Sequence, residues 1–261
     1  MNRLLATLLL LLLPAVATYA RQQQPAAGGA RLVDQFGEIQ ISDLKARLDL
    51  FATVLGEAPA STGLIAVYGA KHKFSGWPMR RARWMQGYLV STRGLEASRF
   101  TVVNSGLRAD TDFELWVVPP GADPPARPFD VSLLMSGEKT AQPFDRFTVM
   151  ERDDHWETDD GDPEPGDAYL YQYLAEVLRS DPSLRACVVG YTSRRGSRAA
   201  ARRIASRAKL TLAKAHAIDV TRVVALGGGR REYKMIELWL VPPGAPLPKP
   251  TPAARPARGR R

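Results

Sequence analysis

Apolar and polar positions in this 261-residue chain fall into one order of elements, and that order occurs twice. Leu44, Leu48, Phe51 and Leu55 recur at spacings of four, three and four, which places them on one helical face. Pro59, Ser61 and Gly63 end that helix, and Leu64 to Gly69 is a near-continuous apolar run, the pattern of a strand buried on both faces. Ala82, Met85 and Leu89 mark a second helix, which Gly94 stops. Phe100 to Asn104 predicts a strand, Gly106 to Asp110 a turn, and Phe113 to Val118 a final strand that Pro119-Pro120-Gly121 cannot continue. A short strand ending near Ile41 precedes the first helix, and Asp43 is placed to cap that helix's free donors.

Phe113-Glu-Leu-Trp-Val-Val-Pro-Pro-Gly-Ala122 returns as Ile236-Glu-Leu-Trp-Leu-Val-Pro-Pro-Gly-Ala245, an offset of 123 residues. Leu95 falls on Ile218, Arg99 on Arg222 and Gly106 on Gly229 at that offset, so the chain is a diverged tandem repeat. Val33-Asp34-Gln35-Phe36 resembles Phe144-Asp145-Arg146-Phe147 at an offset of 111. The difference between the offsets locates an insertion in the second copy, filled by the acidic run 153–167.

The second copy reads as a strand from Phe144 to Glu151, a helix with Tyr171, Leu174 and Leu178 inward, and a buried strand from Ala186 to Gly190. A helix from Ser197 to His216 follows, with Ile204, Ala208, Thr211 and Ala215 inward. Val223 to Leu226 and Met235 to Val241 then form a hairpin-like pair about a turn at Gly227-Gly228-Gly229. Each copy is strand, helix, strand, helix, strand, strand. The expected class is α/β, as an α+β sandwich of two tandem domains, 31–122 and 141–248, with helices packed on a mixed sheet. Phe129 to Met135 is an extra strand or part of the linker 123–140.

Residues 1–20 read as a secretory signal: Arg3, then the apolar run from Leu4 to Leu13, then the small-residue site Thr18-Tyr19-Ala20. That run is short of the roughly 20 residues a spanning helix needs. The expected protein is exported, to the periplasm or outer envelope of a bacterium, with no transmembrane span after cleavage. Residues 21–30 form a Gln, Ala and Gly linker, and 249–261 a basic tail expected to be disordered. Cys187 is the single cysteine, so no intramolecular disulfide forms, and its apolar neighbours predict a small buried hydrophobe.

Val188-Val-Gly-Tyr-Thr-Ser-Arg-Arg-Gly196, followed by a helix bearing Arg207-Ala208, resembles the OmpA-like domain, the peptidoglycan-associating module of outer-membrane protein A. Arg81-Ala82, Met85, Tyr88-Leu89, Gly94-Leu95 and Arg99 look like that family's second helix and following turn in the first copy. Glu114 and Glu237 stand where its last strand carries Glu. The resemblance implies the same fold and a site for the diaminopimelate of peptidoglycan, with a loop Asp on its ammonium and a helix Arg on its carboxylate. Arg207 and Arg81 match the Arg, and Thr192 lies in the loop. Ser193 replaces the Asp, His72 or its neighbours stand there in the first copy, and the family's Asn-Arg-Arg has become Tyr233-Lys-Met235 and Asp110-Thr-Asp112. A serine cannot neutralise an ammonium, so a zwitterionic ligand loses one of two charge-assisted contacts.

The net charge of +9 is concentrated where the resemblance puts the ligand. Between Ala58 and Leu95 there is no acid, but there are Lys71, Lys73, Arg80, Arg81, Arg83 and Arg93. Between Pro182 and Ile218 there is again none, with nine bases that include Arg194, Arg195, Arg203 and Arg207. Arginine's planar fork suits carboxylate and phosphate. The expected partner is peptidoglycan or another anionic envelope component, with an acidic protein or lipid headgroups as the alternative. Export and the lack of an aromatic-basic platform set nucleic acid aside. His72, His155 and His216 lack metal-ligand spacing, the acidic run fails the calcium-loop pattern, and no nucleophile and base pair is placed for catalysis. The sequence therefore points to a non-enzyme with neither metal nor cofactor.

Overall fold

The computed structural model describes residues 29–70, 74–149 and 168–251, and has two units, each a four-stranded mixed sheet with two helices. The first runs β1 (Arg31–Phe36), α1 (Ile41–Gly56), β2 (Thr62–Ala70), α2 (Trp77–Ser91), β3 (Phe100–Arg108) and β4 (Asp112–Val118). The second runs β5 (Gln142–Thr148), α3 (Ala168–Ser180), β6 (Arg185–Thr192), α4 (Arg198–Ala215), β7 (Val223–Arg230) and β8 (Met235–Val241). The α+β class expected from the repeat is the class found. The signal segment, His72, the acidic run and residues 252–261 lie outside the described residues.

Leu44, Leu48, Phe51 and Leu55 are fully buried beneath α1, as their spacing requires. Burial of each such side chain contributes roughly 1.5–3 kcal/mol. Asp43 is not the cap: Gln40 holds that position, and Asp43 lies in the first turn, where its charge still suits the helix dipole.

The sheets are ordered β1-β4-β2-β3 and β5-β8-β6-β7. The expected hairpin of β7 with β8 does not form, because β6 lies between them, parallel to β7 and antiparallel to β8. A parallel neighbour needs a long crossover, which α4 supplies, as α2 does between β2 and β3. Gly227, Gly228 and Gly229 lie inside β7 rather than in a turn. A side chain on Gly228 would collide with the Tyr191 ring, and Gly229 has φ +93 beside a register shift. Gly106 likewise lies within β3, at φ +106. Phe129 to Met135 forms no strand; Val131–Met135 is a 3-10 turn.

Under α4 the buried face is Ala201, Ala205, Ala208 and Leu212, so the expected inward set is rotated, and Ala215 is exposed. The cause is a close approach. A Cβ at Gly190 would stand 2.5 Å from the Ala201 carbonyl and 2.6 Å from the Ala205 nitrogen. Only the alanine face lets the helix backbone reach that strand.

The two units share one core, which includes Met79, Met85, Phe144, Tyr173, Leu174 and Val188. At their junction Arg80 of α2 donates to Asp145 of β5 through Nε at 2.9 Å and Nη2 at 3.3 Å. Gly76 N–H donates to the Phe144 carbonyl at 2.7 Å. Asn104 donates to the Tyr173 hydroxyl at 2.7 Å, and Arg83 stands 3.9 Å from Glu176. Burial, with Glu176 beside it, holds the Tyr173 hydroxyl well above its usual range.

Candidate functional site

Each sheet repeats one polar constellation. Arg108 donates to Glu114 at 2.7 Å and lies over the Tyr68 ring; Arg231 stands 2.7 Å from Glu237 and lies over the Tyr191 ring. The Tyr191 hydroxyl donates to Glu237 at 2.9 Å. These positions match at the 123 offset, a signal present in the sequence that motif reading passed over. Glu114 and Glu237 are 8% and 7% exposed and their oxygens are engaged, so they brace the sheets and offer no open carboxylate. Thr251 joins the second constellation: its N–H donates to Tyr191 and its carbonyl accepts from Arg231. Thr251, the last described residue, is thus tied to the second sheet.

The loop 193–197 joins β6 to α4 and is pinned from β7. Arg230 Nε donates to the Gly196 carbonyl at 2.8 Å, and Arg231 N–H to the Thr192 carbonyl at 2.8 Å. Ser197 caps α4, accepting from Ala200 N–H at 3.1 Å. Thr192 is buried, with its hydroxyl turned under Gly196 and without a hydrogen-bond partner among the described residues. It does not face solvent as a ligand group would. Ser193 is half-buried at the loop's start. Arg194 and Arg195 are exposed; Arg194 meets Glu232 at 3.7 Å with both side chains largely in water, a pair of little energetic weight.

Along α4, Arg203, Arg207, Leu210 and Lys214 follow at four, three and four, which sets one exposed stripe. At 1.5 Å per residue it is about 16 Å long. No acid interrupts it, and Arg198 in the first turn opposes the helix dipole. Like charges four apart weaken a helix by a few tenths of a kcal/mol per pair. Asp219 does not answer Arg207: it caps the 3-10 turn Val220–Arg222, where the Thr221 N–H and hydroxyl hold its carboxyl below the usual range.

The first unit uses its helix differently. The buried positions Pro78, Ala82, Met85 and Leu89 match Ala201, Ala205, Ala208 and Leu212 at the 123 offset. Arg207 is therefore equivalent to Trp84, which is 6% exposed, and Arg81 to Ile204. The two Arg-Ala pairs are out of structural register. Arg81 donates to the Ile39 carbonyl at 3.3 Å and lies over Trp84. Arg80 is committed to Asp145 and Arg83 faces Gln86 and Glu176, so neither belongs to an open basic face. The sequence-predicted residues thus separate: on the second unit Ser193 is half-buried and Arg194, Arg195, Arg203 and Arg207 are exposed, whereas Arg81 is held within the first unit and Arg80 and Arg83 at the junction. Lys214 extends the stripe by helical spacing; Arg198 and Arg202 are exposed but lie off it, Arg202 against Gly227 of β7.

No group of His, Cys, Asp and Glu arranged to hold a metal occurs among the described residues. Among them, too, no helix is long and apolar enough to cross a membrane. No protein-family model matches the sequence, and no curated protein matches it.

Proposed function

We propose that this chain is a non-catalytic, exported protein of the bacterial cell envelope, built of two diverged OmpA-like units, that binds an anionic envelope polymer such as peptidoglycan through its second unit. One observation carries the reading. The acid-free face of α4 stands open, whereas the equivalent helix α2 is consumed by the junction between the units. Uncompensated like charges cost helix stability, and an anionic ligand would offset that cost. Ser193 in place of an acid favours a ligand whose carboxylates outweigh its amines. The element order of both units supports the family reading.

A second reading rests on Leu210, which is 49% exposed amid Arg203, Arg207 and Lys214. A leucine on a cationic stripe suits an anionic lipid surface, where apolar and charged contacts add.

Co-sedimentation of the mature protein with purified sacculi, across a salt series, tests the choice. The first reading expects binding that persists at moderate salt and falls in Arg207→Ala. Binding to anionic vesicles with none to sacculi, lost in Leu210→Ser, would favour the second.

A further inference from the structure

The junction between the units has both of its halves repeated elsewhere in the molecule, and each repeated half carries exposed residues. The α2 side uses Gly76 and Arg80; the same positions on α4 are Ala199 and Arg203, both exposed. The β5–α3 side uses Phe144, Asp145 and Tyr173; the same positions on β1 and α1 are Val33, Asp34 and Leu50. Asp34 and Asp145 each sit at a register shift in the first strand, and each accepts from the next residue's N–H. Leu50, equivalent to the buried Tyr173, is 54% exposed, and nearby on the first strand Leu32 is 41% exposed.

Size and charge both fit. A Cβ at Gly76 would stand 2.5 Å from the Phe144 ring, so that contact needs glycine. The open pair exchanges a larger Ala199 for a smaller Val33. By composition, residues 31–57 hold five acids against three bases, and 182–218 nine bases and no acid. Arg47 donates to both oxygens of Asp34 at 2.7 Å and the Gln35 N–H to one of them, so of about four acceptor sites one is left, and Arg203 would share the carboxylate with Arg47.

We propose that a second copy of this chain docks its β1–α1 face on α4, repeating between molecules the junction made within one. The contact is heterologous, so copies add head to tail. It does not presuppose polymer binding, and the two uses would compete for Arg203.

Sedimentation velocity on the mature protein, over a concentration series at low salt, tests this. The parent is expected to associate in steps of one chain. Arg203→Glu alone and Leu50→Lys alone should each weaken association roughly tenfold or more, since like charges then face the partner. Mixed together, these variants should form a 1:1 pair and stop, because each retains the half the other lacks. Circular dichroism confirms that both variants are folded. A parent that stays monomeric throughout, or variants that associate as well as the parent, would overturn the proposal. Sacculus binding by a monomeric parent would leave the functional reading standing and remove this one.

Discussion

Arg80 and Asp145 form the ion pair that joins the two units, and Asp145 is 1% exposed. Removing the guanidinium leaves a buried carboxylate with only its remaining contacts. Arg80→Ala should therefore cost about 3 kcal/mol in urea unfolding. Because the core runs through both units, the variant should still unfold in one transition.

Two glycines should respond in opposite senses. Gly190→Ala drives a methyl into the α4 backbone and should cost about 3 kcal/mol or more. Gly87, inside α2, has nothing within 4 Å of an added Cβ. Gly87→Ala should stabilise by about 1 kcal/mol, as expected for a helix interior. Thermal melts of the two variants compare them directly.

Arg222 holds the end of α3: its guanidinium donates to the carbonyls of Leu178, Asp181 and Leu184. Arg99 does the same for α1, with Leu55 and Ala58. Arg222→Ala should lose about 3 kcal/mol, since several partly buried carbonyls lose a charged donor. Arg222→Lys keeps the charge without the fork, so chemical denaturation should place it between the two.

Burial pushes the Cys187 thiol from 9.0 up to about 12, and holds Tyr88, Tyr173 and Tyr191 above 10.0. The fold thus favours the neutral forms. That stability is complete below the unfolded values and is lost as pH rises. Between about pH 9 and 10 the loss belongs chiefly to the thiol, so Cys187→Ala should flatten the stability curve there. Above that window the tyrosines should keep the curve falling in both proteins.

The repeat and its helices were legible because apolar spacing and the 123 offset are properties of sequence. Leu44, Leu48, Phe51 and Leu55 show this directly. Strand partners were not legible: nothing in Val223 to Leu226 says that β6, rather than β8, lies beside it. Gly227 to Gly229 looked like a turn because the need to admit the Tyr191 ring arises only in the folded sheet. The inward face of α4 followed from a close approach at Gly190, which hydrophobicity does not encode. Arg80 read as surface charge because its partner lies in the other unit. The open stripe of α4, by contrast, was present in the spacing of Arg203, Arg207 and Lys214.

The most direct test of that stripe is an NMR titration of the isotope-labelled protein with soluble peptidoglycan fragments. Binding through α4 predicts amide shifts confined to the loop 193–197 and the exposed face from Arg198 to Lys214, with α2 silent, and their loss in Arg203→Ala combined with Arg207→Ala. Shifts centred on α2, or none at fragment concentrations that saturate sacculus binding, would contradict the assignment of ligand binding to the second unit.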